Sequence, residues 1–226
     1  MAALCGSLLA VESANVVGYQ QKDTVTGFNF VIPTFKAVNG GGIHIQDIKI
    51  ANATDWNDNI QVLDEGGAGV AVYVYATKEQ SGAAADGWLD DTFALADVTF
   101  EPGQSILIDT AGTTTLTFAG QVFTEDTVVE TVPGFNFVGN NTPVPVNIQD
   151  IKIEGATEWN DNIQILDEGG AGVAVYVYAT KEQSGAAADG WLDDTFALAD
   201  VDFEPGQGIL IDTAAAATVT IPGVDL

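Results

Sequence analysis

The run VAVYVYA at residues 70–76 decides the fold, and it recurs unchanged at residues 173–179. A short continuous apolar run that is rich in valine and tyrosine is typical of a β-strand. Successive side chains of a strand point to opposite faces, so the valines are predicted to lie on one face and Tyr73 and Tyr75 on the other. We therefore predict a central strand that is covered on both faces.

Two hairpins are predicted around this strand. The segment IQVL (60–63) and the glycine-rich stretch 64–69 form the first arm and the tip of a hairpin whose second arm is the central run, because glycine allows the positive φ of such tips. The segments DVTF (97–100) and SILID (105–109) are predicted to form a second hairpin across EPGQ (101–104). Proline followed by glycine at the centre of this turn is typical of type II.

The rest of each unit follows the same pattern. The stretch TTTLTFAG (113–120) alternates between polar and apolar residues, and ATVTIPG (217–223) ends the chain in a similar way. A short helical turn is predicted around residues 88–96. Many short strands separated by turns indicate an all-β fold, with two tandem β-sandwich or small barrel domains.

The chain contains an internal duplication. Residues 57–111 align with residues 160–214, and 52 of the 55 positions are identical. The three differences are Val62/Ile165, Thr99/Asp202 and Ser105/Gly208. We predict two domains of the usual single-core size, repeat one at residues 15–120 and repeat two at residues 121–226.

The composition excludes several classes of function. The 226 residues include 6 Lys+Arg, all of them lysine, against 32 Asp+Glu, for a formal net charge of −26. A nucleic-acid binder needs a basic surface, and an anionic membrane also attracts basic segments, so neither partner fits. With 46% hydrophobic residues the chain has enough apolar material for a packed core.

Residues 1–14 (MAALCGSLLAVESA) are apolar and end in small residues, which is typical of the end of a secretory signal peptide. A buried first strand is the alternative. Cys5 and Met1 are the only sulfur-containing residues, so the mature chain has no thiol and no disulfide. We predict a secreted or cell-surface bacterial protein without a transmembrane span.

Acidic and amide side chains gather around the IQVL segment in both repeats. Their oxygens are the ligands that calcium prefers, and alternate residues of a loop can supply several at once. The spacing of Asp55, Asn57 and Asn59 resembles the start of an EF-hand loop, but Ile60 and Gly66 occupy its glycine and glutamate positions. Turn residues that make Asx hydrogen bonds are the alternative. The candidate calcium ligands are Asp55, Asn57, Asp58, Asn59 and Asp64 in repeat one, and Glu158, Asn160, Asp161, Asn162 and Asp167 in repeat two.

Large aromatic residues recur at equivalent positions of the two repeats. Such rings can form a platform on which a sugar ring stacks, and packing in the core is the alternative. An extracellular polysaccharide is therefore a candidate ligand. The candidate residues are Trp56, Tyr73, Tyr75 and Trp88 in repeat one, and Trp159, Tyr176, Tyr178 and Trp191 in repeat two.

The sequence gives little support for a catalytic site. The segment DGWLDD (86–91) places two aspartates side by side, and glycoside hydrolysis uses two carboxylates, but adjacent aspartates on a loop are more typical of a solvated face. His44 is the only histidine, and Asn147 stands at its place in repeat two, so a histidine-based site is not duplicated. The sequence contains no GxSxG, HExxH, P-loop or dinucleotide motif. We expect no enzymatic activity.

Several segments carry a resemblance to known proteins. The chain has GFNFV at residues 27–31 and FEPGQGILI at residues 203–211, and it resembles a β module of secreted bacterial proteins that reads G-W-N-x-I near its start and P-G-x-G-Y-W near its end. Phe28 stands here for the tryptophan, and the Ile-Leu pair at 209–210 replaces the aromatic pair. ANVVGYQ (14–20) is similar to a group of acidic, two-repeat secreted proteins of environmental and gut bacteria. The resemblance implies export and a β fold, and it carries over no catalytic residue.

These observations favour a non-enzymatic secreted or surface structural or adhesive protein, stabilised by calcium in its acidic loops. Assembly with other copies of itself is one expectation for its partners, because cations would screen its negative charge. The alternative is a carbohydrate-binding protein that captures extracellular polysaccharide, with two sites in tandem to raise avidity.

Overall fold

The computed structural model describes residues 17–38, 40–63, 69–166 and 172–224. Strands make up 47% and helices 7% of the structure, so the predicted all-β class is confirmed. No helix among these residues is long and apolar enough to cross a membrane. The predicted signal peptide, residues 1–14, lies outside the described residues.

Repeat one contains many short strands, one short α-helix and one 3-10 helix. The helix α1 covers Lys78–Ser81, and the 3-10 helix covers Ile45–Asp47. The strands are β1 (Val17–Asp23), β2 (Gly27–Val31), β3 (Phe35–Lys36), β4 (Ile43–His44), β5 (Lys49–Ala51), β6 (Asn59–Leu63), β7 (Gly69–Ala76), β8 (Gly87–Leu89), β9 (Thr99–Phe100), β10 (Ile106–Thr110) and β11 (Thr115–Val122).

Repeat two follows the same order. The helix α2 covers Lys181–Ser184, and a 3-10 helix covers Ile148–Asp150. The strands are β12 (Thr127–Glu130), β13 (Gly134–Gly139), β14 (Val146–Asn147), β15 (Lys152–Glu154), β16 (Asn162–Leu166), β17 (Gly172–Ala179), β18 (Gly190–Leu192), β19 (Asp202–Phe203), β20 (Gly208–Thr213) and β21 (Thr218–Ile221).

Each repeat builds two larger sheets and one small one. In repeat one the order β2-β10-β6-β7-β8 forms a five-stranded sheet, and β11 pairs with β1 on one side and with β3 and β5 on the other. Repeat two has the matching sheets β13-β20-β16-β17-β18 and β12-β21-β15. The sheets are arranged in a ring that resembles a four-bladed propeller, not clearly as two tandem sandwiches.

Two apolar cores form, and each draws its residues from one repeat, with Val122 at the end of β11 included in the first core although it lies just past residue 120. In repeat one the core includes Ile60, Trp88 and Ile108 of the five-stranded sheet, together with Leu116 and Phe118 of the other sheet. The corresponding residues of repeat two form the second core. Both larger sheets of a repeat therefore bury one face in a common core, which is the main source of stability in such a fold.

The strand β7 lies between β6 and β8, so it is internal to the sheet, but the central strand of the five is β6. Its side chains alternate as predicted, because Tyr73 and Tyr75 pack against the core. The prediction that both of its faces are covered is wrong, since the side chain of Val72 on the other face is 51% exposed.

Of the two predicted hairpins, one is confirmed and one is wrong. The arms β6 and β7 pair as expected, and residues 64–68 of the tip lie outside the described residues. The turn at 101–104 also forms, with φ 81° at Gly103 and the Gln104 N–H donating to Glu101 O over 3.0 Å. However, β9 pairs with β4, whereas β10 pairs with β2 and β6. Because β2 and β6 occupy both edges of β10, β9 cannot pair with it and joins a different sheet.

The predicted helical turn at 88–96 is also wrong. This segment begins with strand β8 and then closes a tight hairpin, in which Leu89 pairs with Leu95. The short helix lies instead at Lys78–Ser81, before β8.

The two repeats meet at the ends of β2, β10, β13 and β20. The rings of Phe30 and Phe137 stack with centroids 5.4 Å apart and an interplanar angle of 4°. The Ser105 N–H donates to Phe137 O over 3.3 Å, and the Ile32 N–H donates to Gly206 O over 3.2 Å. Equivalent residues of the two repeats therefore meet across this junction.

The junction explains one of the three differences between the repeats. Gly208 occupies the position that is Ser105 in repeat one. A Cβ atom at Gly208 would lie 3.0 Å from Ser105 Oγ and 3.1 Å from Phe30 Cβ. A side chain at position 208 would therefore crowd Ser105 and Phe30 and require them to shift.

We predict that Gly208→Ser, which restores the residue of repeat one, lowers the free energy of unfolding by about 1–3 kcal/mol through overpacking. Urea denaturation measures this change. A loss of stability would be informative, because replacing glycine inside a strand normally stabilises the strand.

The matched control is Ser105→Gly, which removes one hydroxyl that donates to Val31 O over 3.4 Å. We expect the control to change stability less than Gly208→Ser. A Gly208→Ser protein as stable as the wild type would contradict the proposed crowding at the junction.

Candidate functional site

Two of the predicted platform residues, Trp88 and Trp191, belong to the cores. Each is 1% exposed. The indole Nε1–H of Trp88 donates to Ile48 O over 3.0 Å, and that of Trp191 donates to Ile151 O over 3.0 Å. These rings are not available for stacking on a ligand, and core packing is the correct interpretation of both.

A glutamine side chain holds each buried tryptophan in place. Gln46 Nε2 donates to Trp88 O over 2.7 Å and to Ala96 O over 3.0 Å, and its Oε1 accepts the Trp88 N–H over 3.2 Å. Gln149 makes the same three bonds in repeat two. This network fixes both ends of the hairpin that follows β8.

The predicted tyrosines support the core. Tyr75 contacts Trp88 edge to face, with ring centroids 5.4 Å apart, and Tyr178 repeats the contact with Trp191 at 5.4 Å. Burial raises the pKa of the Tyr75 phenol, and the negative charges of Asp86 and Asp55 raise it further. Tyr73 and Tyr176 pack against the same cores.

Trp56 is the predicted platform residue that lies at the surface, and the structure pairs it with Phe93. The two side chains are 39% and 59% exposed, and their rings meet edge to face with centroids 5.6 Å apart at an angle of 80°. In repeat two, Trp159 and Phe196 are 40% and 59% exposed, with centroids 5.8 Å apart at 72°. We call each of these an aromatic pair.

All four residues of the two aromatic pairs adopt the left-handed backbone conformation. The φ angles are 66° at Trp56, 62° at Phe93, 64° at Trp159 and 62° at Phe196. This conformation costs roughly 1–2 kcal/mol for a residue with a Cβ atom, so surrounding contacts must hold it in place.

The loop at 90–94 holds Phe93. The Phe93 N–H donates to Asp90 O over 3.0 Å, and the Asp90 N–H donates to Ala94 O over 2.9 Å. The Asp90 carboxylate accepts the Thr92 N–H at 2.9 Å, the Thr92 hydroxyl at 2.7 Å and the Ala94 N–H at 3.1 Å. This is a three-residue hairpin loop in which the left-handed position normally carries glycine.

These bonds also bear on acid–base chemistry. The hydrogen bond from the Thr92 hydroxyl, followed by those from the backbone, lowers the pKa of the Asp90 carboxyl. The Thr195 hydroxyl lowers the pKa of Asp193 in the same way. A general acid in glycoside hydrolysis needs a raised pKa, so these aspartates have the opposite property.

The loop at 54–58 holds Trp56. The buried carboxylate of Asp58 accepts the Thr54 N–H over 2.7 Å and the Ala111 N–H over 2.8 Å. The Trp56 N–H donates to Tyr75 O over 2.8 Å, which attaches the loop to β7.

The candidate calcium ligands make turn hydrogen bonds. Asp161 repeats the two bonds of Asp58. Asp55 accepts the Thr77 N–H over 2.9 Å, and the side chains of Asn57 and Asn59 donate to backbone oxygens two residues earlier. The equivalent amides of repeat two, Asn160 and Asn162, do the same next to Glu158.

In the part of the chain that the structure describes, no group of three or more His, Cys, Asp or Glu residues is placed to hold a metal ion. Asp64 and Asp167 lie outside that part. The hydrogen bonds of Asp55, Asn57, Asp58 and Asn59 are those of the alternative interpretation, turn bonding, and the calcium site stays a prediction.

The single histidine has a structural role that its replacement shares. His44 Nδ1 accepts the Gln46 N–H over 3.2 Å at the start of a 3-10 helix, and Asn147 Oδ1 accepts the Gln149 N–H over 3.0 Å in repeat two. Both side chains cap the helix that positions the glutamine.

Phe93 and Phe196 were not among the residues predicted from the sequence. Their signal was present in the segment LDDTFAL, where an aspartate and a threonine precede a large aromatic residue and two leucines flank the loop. Recognising this pattern as a tight hairpin would have placed phenylalanine at the position that normally carries glycine.

Comparison with models of protein families, with curated proteins and with solved structures finds no match for this chain.

We predict that Phe93→Gly is more stable than Phe93→Ala by about 1 kcal/mol, because glycine adopts the left-handed conformation without strain. Thermal or urea unfolding of the two variants measures the difference.

The matched control is Phe28, which is 44% exposed on strand β2. There we expect alanine to be at least as stable as glycine. The same order of stabilities at both positions would contradict the assignment of backbone strain to Phe93.

Proposed function

We propose that this protein is a non-enzymatic, secreted or surface-displayed structural or adhesive protein, which contacts an extracellular partner through the aromatic pair of each repeat. The observation that carries the proposal is the recurrence of the same exposed, left-handed aromatic pair in both repeats. Secretion itself is proposed from the leader in the sequence.

Two physical arguments support this use of the aromatic pairs. Exposing a tryptophan and a phenylalanine forgoes the gain from burying them, and the backbone strain is a further cost at the same residues. Both costs recur in the second repeat, although the core of each repeat does bury a tryptophan. If the rings contact a partner at the surface, that role explains why both costs are retained.

The same loops support a non-enzymatic role. The carboxylates of Asp58 and Asp90 are occupied by backbone N–H groups that shape the two loops. Because these carboxylates fix the conformation of the two loops, the loops are suited to presenting the aromatic rings at the surface. Two copies of a contact surface raise avidity without any new contact.

We also propose that each repeat folds as its own sandwich, as its sequence predicts. The support is the separate core of each repeat, to which both of its larger sheets contribute. The ring of sheets would then be two sandwiches joined at the junction of Phe30 and Phe137.

The second candidate function is the capture of extracellular polysaccharide. The observation that favours it is the combination of exposed ring faces with polar groups at their edges, since Trp159 Nε1–H donates to Gln183 Oε1 over 2.6 Å. Flat apolar faces with a few directed polar groups are typical of ligand sites.

We predict that the double variant Phe93→Gly/Phe196→Gly loses at least tenfold in retention on the protein's target surface. Pull-down on a panel of insoluble glycans, and adhesion to coated surfaces and whole bacteria, measure this loss. Glycine is used because it keeps the loop conformation while removing the ring.

The matched control is Phe28→Ala/Phe135→Ala, which removes two other exposed rings, 44% and 43% accessible. We expect retention to be preserved in this control. Absence of retention on every surface would overturn the adhesive proposal, and retention on glycans alone would favour polysaccharide capture.

Calcium remains a separate proposal for the acidic loops. It predicts a higher melting temperature in millimolar calcium than in chelator, because a ligand that binds only the folded state stabilises it. Identical melting curves and identical elution in size-exclusion chromatography would exclude calcium from the account.

A further inference from the structure

We propose that the partner of each aromatic pair is a cationic polysaccharide, a chain of amino sugars with free amino groups. This inference rests on the proposed adhesive function and names the polymer to which the protein would adhere.

Acidic residues lie close in the chain to both members of the aromatic pair. Asp55 precedes Trp56 in the chain, and the exposed Asp91 lies on the same loop as Phe93. Asp86 is also exposed, and its carboxylate accepts the Lys78 N–H over 2.7 Å at the start of α1. The Trp56 N–H donates to Tyr75 O over 2.8 Å, and the charges of Asp86 and Asp55 add to the effect of burial in raising the pKa of the Tyr75 phenol.

The same acidic surroundings recur in repeat two. Glu158 precedes Trp159, the exposed Asp194 lies on the same loop as Phe196, and Asp189 accepts the Lys181 N–H over 2.9 Å. Burial raises the pKa of the Tyr178 phenol, and the negative charges of Asp189 and Glu158 raise it further. Both pairs therefore combine partly exposed aromatic rings with acidic residues that are close to them in the chain.

The second argument is the chemistry of the rings. A cation over the face of an indole is attracted by the ring quadrupole, and tryptophan is the strongest partner of this kind. An amino sugar combines an ammonium group with an apolar ring face. It can therefore contact the aromatic pair and the neighbouring carboxylates together.

Long-range electrostatics also favour a positively charged partner. With a net charge of −26, the protein repels polyanions and attracts polycations before contact. Uronic-acid and sulfated polysaccharides are therefore disfavoured as partners.

The local backbone favours a sugar chain over a basic peptide. A peptide commonly binds by adding a strand to an open sheet edge. Here the edge strand β8 is covered, because Leu89 pairs with Leu95 and Gln46 takes up both the N–H and the oxygen of Trp88. A ligand that binds through ring faces does not need that edge.

The test is isothermal titration calorimetry of the full protein with two hexamers of equal length, one of glucosamine and one of N-acetylglucosamine. At pH 5.5, where the amine is charged, we expect the glucosamine hexamer to bind at least tenfold more tightly. We expect Phe93→Gly/Phe196→Gly to abolish this binding and Phe28→Ala/Phe135→Ala to preserve it.

Each other outcome overturns the inference. Equal affinity for the two hexamers means that the pair contacts the sugar face alone, and unchanged binding by the glycine variant means that the phenylalanine rings of the pairs do not contact the ligand. Tighter binding of hexalysine, lost in the glycine variant, indicates a basic peptide partner. No binding of either hexamer also overturns it, while the adhesion assay separately decides the proposed function.

Discussion

The backbone of this protein holds large aromatic residues in a conformation that glycine would adopt more easily. Trp56 and Phe93, and their copies in repeat two, sit at positive φ on the surface. Because a strained residue persists only when its surroundings fix it, the loops around these rings depend on contacts made elsewhere in the repeat. The presentation of the rings is the constraint from which the proposed function follows.

Two polar networks supply those contacts. Gln46 fixes β8 through both backbone groups of Trp88 and reaches Ala96 beyond the hairpin, so the loop that carries Phe93 starts and ends at defined points. Asp58 ties Thr54 to Ala111 across the sheet and thereby defines the loop that carries Trp56. Buried polar groups that are fully hydrogen-bonded rigidify a structure in this way.

Several strands could be predicted because their signals are local. VAVYVYA has the composition of a strand, and the Pro102-Gly103 pair fixes a turn whatever lies around it. The pairing of β6 with β7 could also be predicted, because a short hairpin joins them, but the pairing of strands that are distant in the chain could not. The turn at Gly103 therefore forms, while the strands on its two sides join different sheets.

The candidate site could be predicted only in part for the same reason. Trp56 and Trp88 have similar polar neighbours in the sequence, but one is at the surface and the other is in the core. Their fates differ because Trp88 lies on a strand of the core sheet, whereas Trp56 lies in a turn. The sequence alone did not explain why the position equivalent to Ser105 is glycine in repeat two. The structure explains it, because Gly208 lies next to Ser105 at the junction.

The most direct test of the central claim is a nuclear Overhauser measurement on the free protein, with tryptophan and phenylalanine rings labelled. The account predicts cross-peaks between the rings of Trp56 and Phe93 and between those of Trp159 and Phe196, together with backbone couplings of positive φ at all four residues. Rings that give no mutual cross-peaks, with averaged couplings at these positions, would contradict a preformed aromatic pair.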